Sequence, residues 1–416
     1  MPVILHVDEL EPGMRLFQAL LRGNQVILPA GRTLEEWEIN SLRRRFPDLR
    51  VRIGDPILDE LGEFEDDRAN DEVAATVHRR MSRLMGSVRH KLSSRTALEA
   101  SDLAGLQQAV ASVISYLSEH PVTAAILTRS EEWSGYLQEH AANVFYLSLL
   151  IGNAVREYVY RERVRLTAAR TLAVRYGMNL TPLAVGALLH DIGMLRIAHV
   201  YEQSEPLDEE DRRKIQEHPL FGESLLPPDA DAVIRMVVRT HHEQTDGSGY
   251  PLKLPGHKQH VFSRIVRVAD AFDAATSDKV YARAKSPARV LWEMLTMGAG
   301  KQYDAALVKI LMSLVQPFPI GAKIRLSTGQ YAVVTRHNRK QPFRPTVLVA
   351  FDENGKRLPR RDLRPPIDLA RNEDIRLTMF GQEDLSFLNG GGVDLDRPVD
   401  PPDFRQHDGL LAYAYP

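Results

Sequence analysis

Seven side chains of the kind that hold metal ions lie in five short stretches of this chain: His140, the pair His190-Asp191, His218, the pair His241-His242, and Asp270. A lone histidine on a helix is more often a packed or solvated residue than a ligand, but seven such groups together argue for a metal site. Imidazole nitrogen with carboxylate oxygen suits iron, manganese, zinc, nickel or cobalt. The chain has no cysteine, which excludes thiolate ligands, disulfides and cysteine nucleophiles. An aspartate beside a histidine can serve two ions, one per carboxylate oxygen, whereas a neutral imidazole holds one. Two ions about 3.5 to 4 Å apart hold phosphate oxygens and activate a water, so phosphodiester hydrolysis needs no protein nucleophile.

The segments carrying these groups read as helical. His140, Val144, Leu147 and Ile151 lie at i, i+4, i+7 and i+11, which puts the histidine on the face of a core stripe. Thr181-Pro182 signals a helix start, and Leu183 to Leu189 carries that helix to His190-Asp191, with Gly193 as a stop. Ile234, Val237, Val238 and His241 repeat the inward placement, and Pro219 is expected to end the segment that delivers His218. Asp270 falls in the apolar run Val261 to Phe272, where an unpaired carboxylate would cost several kcal/mol, so a cation is expected beside it.

At 416 residues the chain exceeds one ordinary core. Residues 1–58 alternate short apolar runs with turn signals around one helical stretch, as in a small α+β domain; 71–130 read as connecting helices, whose stripe Leu103, Leu106, Val110, Val113 and Leu117 reads as a packing face first and as a signalling or dimerising face second. Beyond residue 316 the pattern has period two, over Lys323 to Ser327, Tyr331 to Val334 and Thr346 to Phe351, predicting a small β-rich unit to about 380 and a flexible tail over 381–416. The basic run Arg336, Arg339, Lys340 and Arg344 reads as a solvated face. With 53 basic and 55 acidic residues there is no general pull toward DNA. Met1 to Leu10 lacks a signal-peptide pattern and Val144 to Val155 is too short to span a bilayer, so a cytoplasmic protein without membrane contact is expected.

The runs His190-Asp191-Ile192-Gly193 and His241-His242-Glu243-Gln244-Thr245-Asp246-Gly247-Ser248-Gly249-Tyr250-Pro251, with Val268 to Ala274 downstream, resemble the HD-GYP branch of the HD phosphohydrolase superfamily over about residues 131–315. The resemblance implies a mainly α fold with an all-helical HD-type core, and a metal-dependent phosphodiesterase that cuts cyclic di-GMP to pGpG or GMP. It implies two divalent metal ions, iron or manganese first: one held by His140, His190, Asp191 and Asp270, the other by Asp191, His218, His241 and His242, with His190, Asp191 and His218 as catalytic residues. Gly247, Gly249, Tyr250 and Pro251 would form the loop near substrate, and Lys279 and Arg283 would contact phosphate or guanine. GGDEF-type or other signalling proteins are the implied partners, and a homodimer is expected by the same analogy.

The chain also departs from the family pattern. Some members carry a third metal, one of whose ligands is a glutamate one helical turn before the first histidine; Tyr136 stands there, so two metals are expected. The usual lysine after His-Asp-Ile-Gly is Met194, and the usual arginine after His-His-Glu is Gln244, with Arg196 and Arg239 as compensating cations to look for. These losses support an alternative reading, a weakly active or inactive module that binds metal and cyclic di-GMP for signalling. Hydrolysis of another phosphoester is a third.

Overall fold

The structure is a computed structural model describing residues 2–22, 25–47, 49–55, 68–94, 97–120, 136–156, 158–160, 179–197, 208–277 and 284–390. Lys279, Arg283 and the tail beyond 390 lie outside the described residues. The fold is mainly α, with helices in the middle of the chain and β-rich segments toward its ends, as expected. It divides into two compact units, one built from both ends of the chain and one from its middle.

The first unit starts with β1 (Pro2–His6), β2 (Arg15–Leu16), β3 (Leu20–Arg22), β4 (Gln25–Leu28), α1 (Glu36–Arg45) and β5 (Arg50–Gly54). It is completed by β6 (Lys323–Leu326), β7 (Tyr331–Arg336), β8 (Thr346–Phe351), β9 (Ile367–Asp368), β10 (Leu377–Phe380) and β11 (Glu383–Asp384). Strands β1, β5 and β2 form one antiparallel sheet, β3 and β4 a hairpin, and the later strands a six-stranded sheet ordered β11-β10-β6-β7-β8-β9.

Alternation of side chains on the pleat sends Val51 and Ile53 of β5 and Ile324 and Leu326 of β6 inward. The N-terminal stretch and the β-rich stretch, expected as separate small units, share one core. Val3, Leu5, Leu16, Ile39, Leu42 and Ile53 pack in the same cluster as Val333, Leu348, Ala350 and Phe351. The amide of Ile4 donates to the carbonyl of Gly321 at 2.8 Å, and Lys323 pairs with Glu9 at 2.7 Å.

Two further expectations change here. Arg344 is a clamp: its guanidinium donates to the carbonyls of Leu369 (2.7 Å), Asn372 (2.8 Å) and Ile375 (3.2 Å). Order also continues past 380, where the tail was expected, because β11 pairs with β10 through Phe380 and Glu383.

The helical unit contains α2 (Arg68–Ser94), α3 (Ala100–Glu119), α4 (Tyr136–Ala154), α5 (Thr181–Leu189), α6 (Glu209–Gln216), α7 (His218–Ser224), α8 (Ala232–Thr240), α9 (Val261–Thr276), α10 (Pro287–Glu293) and α11 (Ala305–Leu314). Its centre is α5, every residue of which after Thr181 is buried, packed by α3, α4 and α8. The predicted stripe of α3 is buried at Leu103, Leu106, Val110 and Val113.

Helix α9 is fixed to α11 by a buried ion pair, Arg264 Nη1 to Asp304 Oδ2 at 2.6 Å, to which Tyr158 also donates. The other oxygen of Asp304 caps α11 through the amide of Ala306. Pro219 does not end a helix; it occupies the first turn of α7, where a missing amide hydrogen costs nothing. Among the described residues no helix is long and apolar enough to cross a membrane.

Candidate metal centre

Five helix segments deliver the seven predicted ligands to one place. His140 comes from the first turns of α4, His190 caps the C-terminus of α5 with Asp191 next, His218 opens α7, His241 caps α8 with His242 next, and Asp270 lies within α9. His140, His190, His218, His241 and Asp270 are buried, and Asp191 and His242 are nearly so.

The close approach of α7 depends on Gly193. A Cβ there would collide with the backbone carbonyl of His218 and lie 2.5 Å from the amide of Gly222, so any side chain would push His218 away from Asp191.

The donors form two groups that share one residue. His140, His190 and Asp191 make one; Asp191, His218, His241 and His242 make the other, and within each the donor atoms lie within 4.8 Å of one another. Asp191 divides its oxygens between them. Its Oδ2 lies 3.6 Å from both His140 Nε2 and His190 Nε2, while Oδ1 lies 3.1 Å from His218 Nε2 and 3.5 Å from His241 Nε2. Asp270 adds a second carboxylate, 3.2 Å from His140 Nε2 and 3.7 Å from His242 Nδ1. This donor set, entirely imidazole and carboxylate in a buried pocket of helix ends, fits divalent transition-metal ions.

The rings are held by their far nitrogens. Nδ1 of His190 donates to the carbonyl of Ala187 (2.8 Å), that of His218 to Ile215 (2.6 Å), and that of His241 to Val238 (2.9 Å). A carbonyl only accepts, so each bond fixes the tautomer that leaves Nε2 as a lone-pair donor facing the centre. His140 instead uses Asp273, whose Oδ2 lies 2.7 Å from its Nδ1 and whose Oδ1 accepts from Asn143 at 2.9 Å.

Burial opposes charge on His140, yet its hydrogen bonds to Asp270 and Asp273 outweigh that and push its pKa up to about 10. Burial brings His190 down to about 4 and holds His242 well below its usual value. Asp191 stays well below the ordinary carboxylate range despite burial, because His190, His218 and His241 surround it.

The loop after His242 is tied down at several points. Glu243, buried, accepts from the amides of Leu252 (2.6 Å) and Leu254 (2.8 Å), and Gln259 donates to the carbonyls of Gln244 and Leu254. Gly249 passes so close to Glu243 and Gln244 that a Cβ would strike their backbone. Tyr250 stacks on the His242 ring at 4.7 Å and 24°, and burial raises its hydroxyl pKa. Tyr136, which stands where a third-metal ligand was sought, instead stacks on His140 at 5.6 Å.

Asp273, Glu243 and Arg267 did not stand out in the sequence reading. Asp273 and Arg267 each lie three residues from Asp270, hence on the same helix face, and that spacing was the available signal. Arg239, considered as a compensating cation, lies 3.3 Å from Glu223.

Residues 148–307 match the family model described as HD domain, and residues 323–377 match that of the KOW domain associated with HD domain. The chain is similar to a cyclic di-GMP phosphodiesterase of Pseudomonas aeruginosa, 27% identical over 217 residues, 50% of this chain and 52% of that protein. A cyclic di-GMP phosphodiesterase of Borreliella burgdorferi is 27% identical over 172 residues, 41% of this chain and 45% of that protein. A 3'3'-cGAMP-specific phosphodiesterase of Vibrio cholerae is 31% identical over 166 residues, 38% of this chain and 35% of that protein. The chain thus spans about half the length or less of these curated relatives.

Proposed function

We propose that this chain, which matches the HD domain model over residues 148–307, is a metal-dependent phosphodiesterase of HD-GYP type that hydrolyses cyclic di-GMP to pGpG or GMP at a centre of two divalent metal ions. The observation that carries the reading is the division of Asp191 between two histidine groups, one carboxylate oxygen toward each. His140, His190, Asp191 and Asp270 would hold one ion; Asp191, His218, His241 and His242 would hold the other, with iron or manganese the first candidates. Ions bound there supply Lewis-acid polarisation of the phosphate and an activated water.

The protein's own contribution is preorganisation. The Nδ1 bonds of His190, His218 and His241 to main-chain carbonyls, and that of His140 to Asp273, keep the donor atoms aimed before any ion arrives. Buried apolar residues of α5 and α9 line the histidine and aspartate side of the site. The stitched loop with Gly247, Gly249, Tyr250 and Pro251 presents an aromatic face beside His242 on which a base or sugar can rest.

Two other readings each have an observation in their favour. Met194 and Gln244 lack the charge of the cations they replace, which favours a binding module with weak or no turnover. The likeness to a cGAMP-specific enzyme favours a different cyclic dinucleotide as substrate. Anaerobic incubation of the iron- or manganese-loaded protein with cyclic di-GMP and with 3'3'-cGAMP, beside the Asp191→Ala variant, separates the three. Conversion of cyclic di-GMP by the unmodified protein alone supports the main reading; preference for cGAMP or no conversion of either turns it to one of the others.

A further inference from the structure

Arg267 has an environment that its structural neighbours do not satisfy. It lies on α9 one turn before Asp270, with its side chain only 15% exposed. Its guanidinium carries five donors, yet among the described residues it makes no hydrogen bond: Nη1 stands 3.7 Å from Asp270 Oδ2, and the buried Nε has no partner. Leaving such a group buried and unsatisfied is costly, so an acceptor is expected to meet it. Asp270 cannot fully be that acceptor, since it also faces His140 at 3.2 Å and His242 at 3.7 Å and belongs to the donor set of the centre.

The group is held rather than free to turn away. Its carbon sits 5.1 Å from the centre of the Tyr303 ring, and that ring packs so closely on Gly298 that a Cβ there would lie 2.5 Å from it. The turn bearing Tyr303 is joined to the loop after His242 by the amide of Asp246, which donates to the carbonyl of Lys301 at 2.8 Å. A preorganised guanidinium at the edge of a metal centre is the donor geometry that phosphate oxygens match.

We propose that Arg267 is a phosphate-binding residue of this site, its guanidinium giving the substrate phosphate the cationic donors that Met194 and Gln244 do not provide. This rests on the phosphodiesterase reading for its substrate, but its test does not depend on turnover. The competing role is a purely structural one, neutralising Asp270.

The test uses the full chain loaded with manganese, as unmodified protein, Arg267→Met and Arg267→Lys, with inorganic phosphate as the probe in calorimetric titrations and the manganese content and melting curve recorded for each. The expected result is phosphate binding at least about tenfold weaker in Arg267→Met, as for loss of a charged hydrogen bond. Arg267→Lys should lose less, with manganese content unchanged in both. Unaltered phosphate affinity in Arg267→Met, no phosphate binding by the unmodified protein, or a loss that follows falling manganese content would each overturn the proposal. Should Arg267→Met fail to fold, Arg267→Lys and Arg267→Gln decide it by the same ranking. Phosphate binding that depends on Arg267 without turnover of cyclic di-GMP leaves this residue's role intact while the phosphodiesterase reading fails; turnover with Arg267-independent phosphate binding does the reverse.

Discussion

The helical unit and the unit made from the chain ends bury opposite kinds of matter. At the centre of the first lie five histidines and three aspartates, counting Asp273, six of them buried and five of them at helix ends. At the centre of the second lie Leu5, Leu16, Ile39, Val333, Leu348 and their neighbours. Desolvating imidazoles and carboxylates costs free energy, whereas desolvating aliphatic side chains supplies it at about 25 cal/mol per Å². A cluster of metal-type donors is therefore a place where stability is given up for binding, and the apolar walls of α5 and the Arg264–Asp304 pair must hold it in shape. Perturbations should respond accordingly: changes at the centre should show in metal and catalysis, changes in the β core in unfolding.

The strongest test of that contrast is Asp191→Ala. Losing the residue shared by both donor groups should lower hydrolysis at least about a thousandfold and strip bound metal, with the melting temperature of the metal-free protein unchanged or raised. A variant that kept its metal and its rate would break the contrast outright. Leu348→Ala should do the opposite, destabilising its unit by about 2 to 4 kcal/mol in denaturant while metal content and rate per folded molecule stay as before. Retained stability there would mean that the apolar cluster does not hold the chain ends together.

A smaller effect is expected at Asp273, which orients His140 without belonging to either donor group. Asp273→Asn should weaken metal binding by about ten- to a hundredfold, read by competition with a chelator, and leave thermal unfolding of the metal-free protein nearly unchanged. The least is expected of Arg344→Ala. Removing a half-buried clamp on three carbonyls should cost about 1 kcal/mol and appear as faster amide exchange confined to residues 369–376; exchange rising across the whole sheet would instead make Arg344 part of the core.

The same contrast explains what could be read from sequence. The candidate ligands were legible because a histidine or aspartate on an otherwise apolar helical face breaks the pattern, as His140 does beside Val144, Leu147 and Ile151. Strand β6 was legible from its alternation, and β7 and β8 as runs rich in β-branched and aromatic residues, although these two bury several consecutive side chains rather than every second one. Asp273 and Arg267 were not, because their roles arise from a partner on another helix or on a distant turn. Neither was the pairing of Ile4 with Gly321 and Ala322, since no local rule links the ends of a chain. Arg344 reads as surface charge from composition and becomes structural only because three carbonyls happen to converge on it.

That pairing of Ile4 with Gly321 also sets an order of events. At roughly 5 to 20 residues per second of synthesis, β1 leaves the ribosome tens of seconds before β8 exists. Until then Leu5, Leu16 and Ile53 have none of their late partners. The helical unit, whose contacts lie within the middle of the chain, can close in that interval, whereas the unit of the chain ends must close last. A chain lacking the residues up to Phe351 would leave the early apolar cluster without the partners that cover it.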